Sequence, residues 1–102
     1  MINNQTYGLS PKTIDKILNV LRSCDAVQKV ILFGSRAKGN FKEGSDIDIA
    51  LTGDRLNLDT LRKLEVKMDD LMLAYDVDLL IYNQIKEPEL KNHIDQVGVV
   101  LG

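Results

Sequence analysis

The residues of this chain that could do chemistry lie close together, within residues 34–48. Gly34 and Ser35 follow an apolar run, and Asp46 and Asp48 come after ten intervening residues. Glycine lets a backbone approach a phosphate closely, and a serine hydroxyl can donate to a phosphate oxygen. Carboxylate oxygens suit Mg²⁺, which is often held by protein carboxylates and substrate phosphates together. The stretch therefore indicates chemistry at a phosphate group with the help of a metal.

A second acidic pair makes that signal more specific. Side chains alternate along a strand, so Asp46 and Asp48 should share one face of it. Asp76 and Asp78 have the same spacing in a later apolar run, which a neighbouring strand could bring alongside. Carboxylates placed in this way can hold two metal ions for in-line displacement at phosphorus. An isolated Asp-x-Asp would more simply be the solvent face of an edge strand, but the Gly-Ser turn and the second acidic strand argue against that interpretation.

Two basic residues follow the Gly-Ser turn. Arg36 suits bidentate contact with a phosphate, whereas Lys38 fits the role of a solvated surface residue equally well. No Gly-Lys-Ser/Thr sequence follows Gly34 at the required spacing, so the turn is not a Walker A loop. We therefore group Arg36 with the candidate phosphate-binding residues.

The elements that must position these residues can be predicted from apolar spacing. Helices are predicted over residues 11–24 and 57–73 and from Pro88 onwards, with one helical turn over 35–39. Strands are predicted over residues 30–33, 46–52 and 76–82, and residues 97–101 form an edge strand or a docked tail. Residues 1–9 are expected to be loosely ordered. The order α-β-α-β-α-β-α predicts an α/β fold, a small mixed sheet of three to four strands covered by helices.

Composition limits the classes of protein to which the chain can belong. Its 102 residues suggest a single domain over 1–102, with a formal net charge of −2. No face is evidently basic, which argues against binding a long nucleic acid. One cysteine, Cys24, excludes a disulfide within the chain, and no apolar run is long enough for a membrane span. We expect a cytoplasmic protein.

The motif resembles the signature of the minimal nucleotidyltransferases (MNT domains) within the DNA polymerase β-like nucleotidyltransferase superfamily. That signature is Gly-Ser, ten residues, then Asp-x-Asp, which here is Gly34-Ser35 followed by Asp46-Ile47-Asp48. The flanking Arg36 and Ser45 agree with it as well. The segment around Asp78 resembles the strand that carries the family's third acid, and the match covers roughly residues 10–101.

The resemblance implies a role for each matching residue. Asp46 and Asp48 would bind two Mg²⁺ ions, which Mn²⁺ could replace. Asp78 would bind the metal that activates the attacking hydroxyl. Gly34 and Ser35 would hold the nucleoside triphosphate, and we place Arg36 and Ser45 with them as nucleotide-binding residues. The family pattern asks for one acid in the third strand, so Asp76 is either a neighbour that tunes the site or a solvated residue.

The resemblance also implies an activity and a partner. The reaction would transfer AMP from ATP to a hydroxyl group and release pyrophosphate. Relatives of this size are commonly encoded with an all-helical HEPN protein, a toxin whose tyrosine receives the AMP, and they act as its antitoxin. The competing interpretation is a nucleotide-binding module that neutralises or scaffolds a helical partner by contact alone. Transfer to a small molecule is a third and weaker interpretation, and the sequence leaves homo- and hetero-oligomers open.

Two reactive side chains are predicted to have no role in the chemistry. His93 is the sole histidine, on a short predicted helix, and we expect it to be a surface residue. Cys24, near the end of the first predicted helix, is expected to be a small packing residue.

Overall fold

A computed structural model describes residues 7–102, which form a four-stranded sheet with helices on both faces. The helices are α1 (Pro11–Arg22), α2 (Gly34–Lys38), α3 (Leu58–Asp69) and α4 (Pro88–Val97). The strands are β1 (Lys29–Phe33), β2 (Ile47–Thr52), β3 (Val77–Ile81) and β4 (Val99–Val100). The predicted order of elements is confirmed, and the structure adds a 3-10 turn at Tyr82–Gln84 directly after β3.

The sheet is mixed, with the strand order β3-β2-β1-β4. β1 pairs antiparallel with both β2 and β4, whereas β2 and β3 are parallel and are joined through α3. Parallel neighbours begin at the same edge of a sheet. The starts of β2 and β3, where the predicted acids lie, are therefore side by side.

The two faces of the sheet have different coverings. α1 and α3 cover one face, and the core between them and the strands includes Ile17, Leu21, Leu32, Ile47, Ile49, Leu64 and Leu79. A smaller cluster on the other face joins Ile94 of α4 to Phe33 of β1 and Ala50 of β2. Alternation along β2 and β3 places Asp48 and Asp78 on this second face. The main core on the opposite face of the sheet therefore holds the two strands that carry these acids in place.

Helix starts agree with the sequence pattern, while some boundaries differ from it. Ser10 caps α1 by accepting from the Thr13 amide at 3.1 Å, and Asn57 caps α3 in the same way. α3 ends at Asp69, four residues before the predicted end at 73, and β2 begins at Ile47, which leaves Asp46 just outside the strand.

Among residues 7–102, no helix is long and apolar enough to cross a bilayer.

The prediction of loose order over residues 1–9 is wrong for the part of it that the structure describes. Leu9 is only 2% exposed and belongs to the main core. The Tyr7 carbonyl accepts a hydrogen bond from Arg36 at 2.8 Å. The prediction for residues 1–6 lies outside the described residues.

Candidate active site

The centre of the candidate site is a pair of aspartates from neighbouring strands. Asp48 of β2 and Asp78 of β3 are register partners in the parallel pairing. Partners in register project their side chains to the same face of a sheet. The fold therefore places two acids side by side on the second face of the sheet.

The electrostatics of Asp48 reflect this crowding. Burial raises the pKa of the Asp48 carboxyl above its usual range, and the negative charges of Asp78 and Asp46 raise it further. A partly buried acid among like charges is costly to ionise, which is common at functional sites.

Asp46 takes a looser position than the other two acids. It is exposed and immediately precedes β2, although its charge reaches Asp48. Across the described part of the chain, no three His, Cys, Asp or Glu side chains are already placed around one metal position. The backbone amide of Ile47 donates to the Asp76 carbonyl at 2.9 Å, which extends the pairing of β2 and β3 to this end of the sheet. The three predicted acids therefore share one end of the sheet without forming a ready ligand cage.

The Gly-Ser turn lies directly against this acid pair. Gly34 has a φ of +76° and begins α2 at the end of β1. A Cβ atom at Gly34 would collide with the Asp48 carboxylate, so only glycine fits between β1 and that side chain. The adjacent Ser35 is partly buried in the first turn of α2. The structure thus brings the Gly-Ser turn, which is predicted to bind phosphate, into contact with Asp48, which is predicted to bind metal.

Arg36 does not lie where the sequence analysis placed it. Its side chain is only 2% exposed, and its guanidinium is sandwiched between the rings of Phe41 and Tyr75, at 5.2 and 4.8 Å. Nε and Nη2 both donate to the Ser45 carbonyl, at 3.1 and 2.7 Å, and Nη1 donates to the Tyr7 carbonyl. The predicted nucleotide contact does not fit this placement. The planar guanidinium can donate hydrogen bonds to backbone carbonyls as well as to a phosphate, so the residue type alone could not distinguish the two roles.

Ser45 is likewise engaged within its own loop. Its Oγ accepts from the Lys42 amide at 2.9 Å, and its amide donates to the Lys42 carbonyl at 3.0 Å. With Arg36 holding its carbonyl, Ser45 fixes the turn that leads into Asp46. The geometry gives Ser45 a structural role in this loop, and its predicted contact with the nucleotide stays a prediction.

His93 is the residue at the site that sequence analysis missed. It is half-buried, and its Nε2 accepts a hydrogen bond from the Gly34 amide at 3.0 Å. Its ring also meets Phe33 edge-on, with 6.1 Å between the centroids. The expectation of a surface histidine is therefore wrong. Its spacing from Ile94 and Leu90 on α4 was a weak signal that it faces the sheet, but no local pattern connects it with Gly34.

An acid pair on parallel strands, beside a glycine turn at the end of an antiparallel neighbour, suits metal-assisted chemistry at a phosphate group. A family model described as "Polymerase beta, Nucleotidyltransferase" matches residues 15–102. The chain belongs to this family.

Relatives and solved structures agree with that assignment. Two proteins of Methanocaldococcus jannaschii are 40% and 34% identical to the chain over 80 and 93 residues. Both carry the name "Putative protein adenylyltransferase"; the alignments cover 76% and 83% of this chain and 73% and 94% of the relatives.

Similar folds occur in solved toxin–antitoxin complexes. A toxin–antitoxin structure with AMP-PNP superposes with a TM-score of 0.72 and 28% identity, covering 87% of this chain and 72% of that chain. A structure of a tri-AMPylated Shewanella oneidensis HEPN toxin with its MNT antitoxin gives a TM-score of 0.67 and 26% identity, covering 89% and 70%.

Proposed function

We propose that this nucleotidyltransferase transfers AMP from ATP to a hydroxyl group, in a reaction that depends on a divalent metal. The observation that carries the proposal is the register pairing of Asp48 with Asp78, with Gly34 packed against the Asp48 carboxylate. This arrangement places the Gly-Ser turn beside carboxylates that could hold a metal ion, which would offset the negative charge of the phosphates. It is also the arrangement that the sequence motif predicts.

The protein's residues would act mainly by positioning. Gly34 would let the triphosphate approach the backbone closely, and the Ser35 hydroxyl would donate to a phosphate oxygen. Asp78, beside Asp48, would lie on the side of the attacking hydroxyl and accept its proton. In-line attack would then form the new oxygen–phosphorus bond at the α-phosphate and release pyrophosphate as the leaving group. No serine or cysteine nucleophile is needed.

The acids fit a divalent metal ion. Asp46, Asp48 and Asp78 supply hard oxygen ligands. Burial and the like charges of Asp78 and Asp46 raise the pKa of Asp48, and a bound cation would relieve that like-charge repulsion. Mg²⁺ is the expected ion, two of them in the full site, and Mn²⁺ suits the same ligands. When bound, the metal would stabilise the charge that develops on the phosphate oxygens. Asp46, in its exposed position before β2, would be the ligand that moves most.

We further propose that the acceptor hydroxyl is a tyrosine of a HEPN-type helical toxin, which makes this chain its antitoxin. Support comes from the similar solved complex of a tri-AMPylated HEPN toxin with an MNT antitoxin. The names of the Methanocaldococcus jannaschii relatives, which refer to a protein acceptor, are consistent with this proposal.

The test uses ATP labelled at either the α- or the γ-phosphate, with Mg²⁺ and a HEPN-type helical toxin offered as the acceptor. The expected result is transfer of the α-label and no transfer of the γ-label. The matched control is the double variant Asp46→Asn/Asp48→Asn, which preserves side-chain size and should transfer neither. If the variant still inhibits the toxin while wild-type protein transfers no label, the chain neutralises its partner by contact and the catalytic proposal is wrong.

A further inference from the structure

Helix α4 contacts the Gly-Ser turn at Gly34 through one side chain, that of His93. The Gly34 amide donates to Nε2 of His93 at 3.0 Å, which joins α2 and α4 across 59 residues of sequence. The ring makes an edge-on contact with Phe33, and the next residue of α4, Ile94, is only 3% exposed and packs in the same cluster as Phe33. The interaction is therefore built into the packing of α4 on the sheet.

The direction of this hydrogen bond restricts what His93 can do. Because Nε2 accepts from an amide, the ring in this arrangement is neutral and carries its proton on Nδ1. The Nε2 lone pair is occupied, so this nitrogen is not free to take a proton from an acceptor hydroxyl. His93 is thus poorly suited to be a general base.

Gly34 is consequently held from two sides. His93 fixes its amide, while the Asp48 carboxylate occupies the space where a Cβ would be. A glycine at positive φ has wide conformational freedom, so two side-chain contacts on it have a larger effect than they would on another residue. The orientation of the Phe33–Gly34 peptide determines where the following residue, Ser35, points.

We propose that His93 is a positioning residue for nucleotide binding. By accepting from the Gly34 amide, it holds the turn in the orientation that presents Ser35 to the triphosphate next to Asp48. This inference rests on the proposed function, because it takes Gly34 and Ser35 to be the triphosphate side of the site. It assigns to α4, which follows the third acid in the sequence, a direct part in forming the nucleotide site.

The experiment compares His93→Gln with His93→Leu. Glutamine can still offer an acceptor oxygen to the Gly34 amide, whereas leucine keeps the apolar bulk but offers none. Affinity is measured for a nonhydrolysable ATP analogue with Mg²⁺. The leucine variant should bind roughly 10-fold more weakly, the upper end for one hydrogen bond, and the glutamine variant within roughly threefold of wild type. Asn92→Leu, an exposed position on the same helix, should bind like wild type.

A second readout does not depend on nucleotide. The NMR shift of the Gly34 amide proton should move upfield, and its hydrogen exchange should speed up, in His93→Leu and much less in His93→Gln. Melting temperatures identify any variant that is simply unfolded. The proposal is contradicted if the leucine variant binds like wild type, if both variants lose equal affinity, or if the wild-type chain binds no analogue. A wild-type chain that binds the analogue but transfers no AMP contradicts the proposed function instead, and the comparison of variants still stands.

Discussion

Asp48 and Asp78 are register partners across the parallel strands β2 and β3, and burial together with the negative charge of Asp78 raises the pKa of the Asp48 carboxyl. This pairing is costly, because each negative charge opposes the ionisation of the other acid. The main core behind β2 and β3 holds the pair together nonetheless. An arrangement that disfavours negative charge is well suited to binding a cation.

Removing the charge of Asp48 should stabilise the metal-free protein while abolishing its activity. The Asp48 pKa is raised in the folded state, so folding favours the protonated form, and the protein loses stability as pH rises through that raised pKa. At pH 7 in EDTA, Asp48→Asn should therefore melt at a higher temperature than wild type. Transfer should fall by about 100-fold or more, because phosphate-charge stabilisation worth several kcal/mol depends on this ligand.

The control for that experiment is Asp54→Asn, which removes an exposed aspartate from the turn after β2. It should change neither the melting temperature nor transfer. If Asp48→Asn melts below wild type in EDTA, the carboxyl pair is not under the strain that we describe.

The requirement for metal should depend on pH. Protons compete with a metal for Asp48, and its raised pKa makes that competition effective at a higher pH than for an ordinary aspartate. The Mg²⁺ concentration for half-maximal transfer should therefore rise as pH falls towards that pKa. In Asp78→Asn, which removes a neighbouring negative charge but leaves Asp48 buried, the Asp48 pKa should fall, so the pH dependence of Mg²⁺ binding measured by calorimetry should shift to lower pH. An unchanged pH dependence in that variant would contradict the coupling.

Gly34→Ala should be far more damaging than the same change at another glycine of positive φ. Gly34 and Gly44 have φ values of +76° and +85°, so alanine at either position costs about 1–2 kcal/mol of backbone strain. Of these two glycines, Gly34 is the one whose new methyl would meet a neighbour, the Asp48 carboxylate, whereas the space around Gly44 is open. Nucleotide binding and transfer should be lost in Gly34→Ala and retained in Gly44→Ala. Equal activity of the two variants would show that Gly34 has no special place in the site.

Arg36 should act on the site indirectly, through the loop before Asp46. In Arg36→Lys the charge remains, but the two bonds from Nε and Nη2 to the Ser45 carbonyl cannot both form. We expect the free energy of unfolding in urea to fall by about 2 kcal/mol, a typical value for charged hydrogen bonds. Metal affinity should weaken as Asp46 loses its support.

Lys38→Met provides the matched comparison for Arg36, since Lys38 is an exposed cation on the same short helix. Its effect on unfolding should stay within about 0.5 kcal/mol. If Arg36→Lys is as stable as wild type but raises the KM for ATP, then Arg36 contacts the nucleotide, as the sequence alone suggested.

The acids were predictable from the sequence because their geometry is local. Alternation along a strand puts Asp48 on one face, and a buried neighbour such as Ile47 determines which face it is. The parallel register that brings Asp78 opposite was not local, and the family resemblance supplied that part. Capping residues and apolar spacing likewise predicted where α1 and α3 begin.

The roles of Arg36, Ser45 and His93 could not be obtained in this way. Each role depends on how separate segments of the chain pack together. For Arg36 and Ser45, the loop before β2 packs against α2; for His93, helix α4 packs against the end of β1. Arginine and serine are typical of both phosphate sites and loop clamps, so their residue types were compatible with either role. Only the packed structure shows which groups their hydrogen bonds reach.

The most direct test is the intact mass of a HEPN-type helical toxin, measured after incubation with the chain, ATP and Mg²⁺. The mass should increase by whole AMP units, and fragmentation should place them on tyrosine hydroxyls. Asp46→Asn/Asp48→Asn should leave the mass unchanged. An unchanged mass with the wild-type protein, under conditions in which a nonhydrolysable ATP analogue binds, would contradict the account.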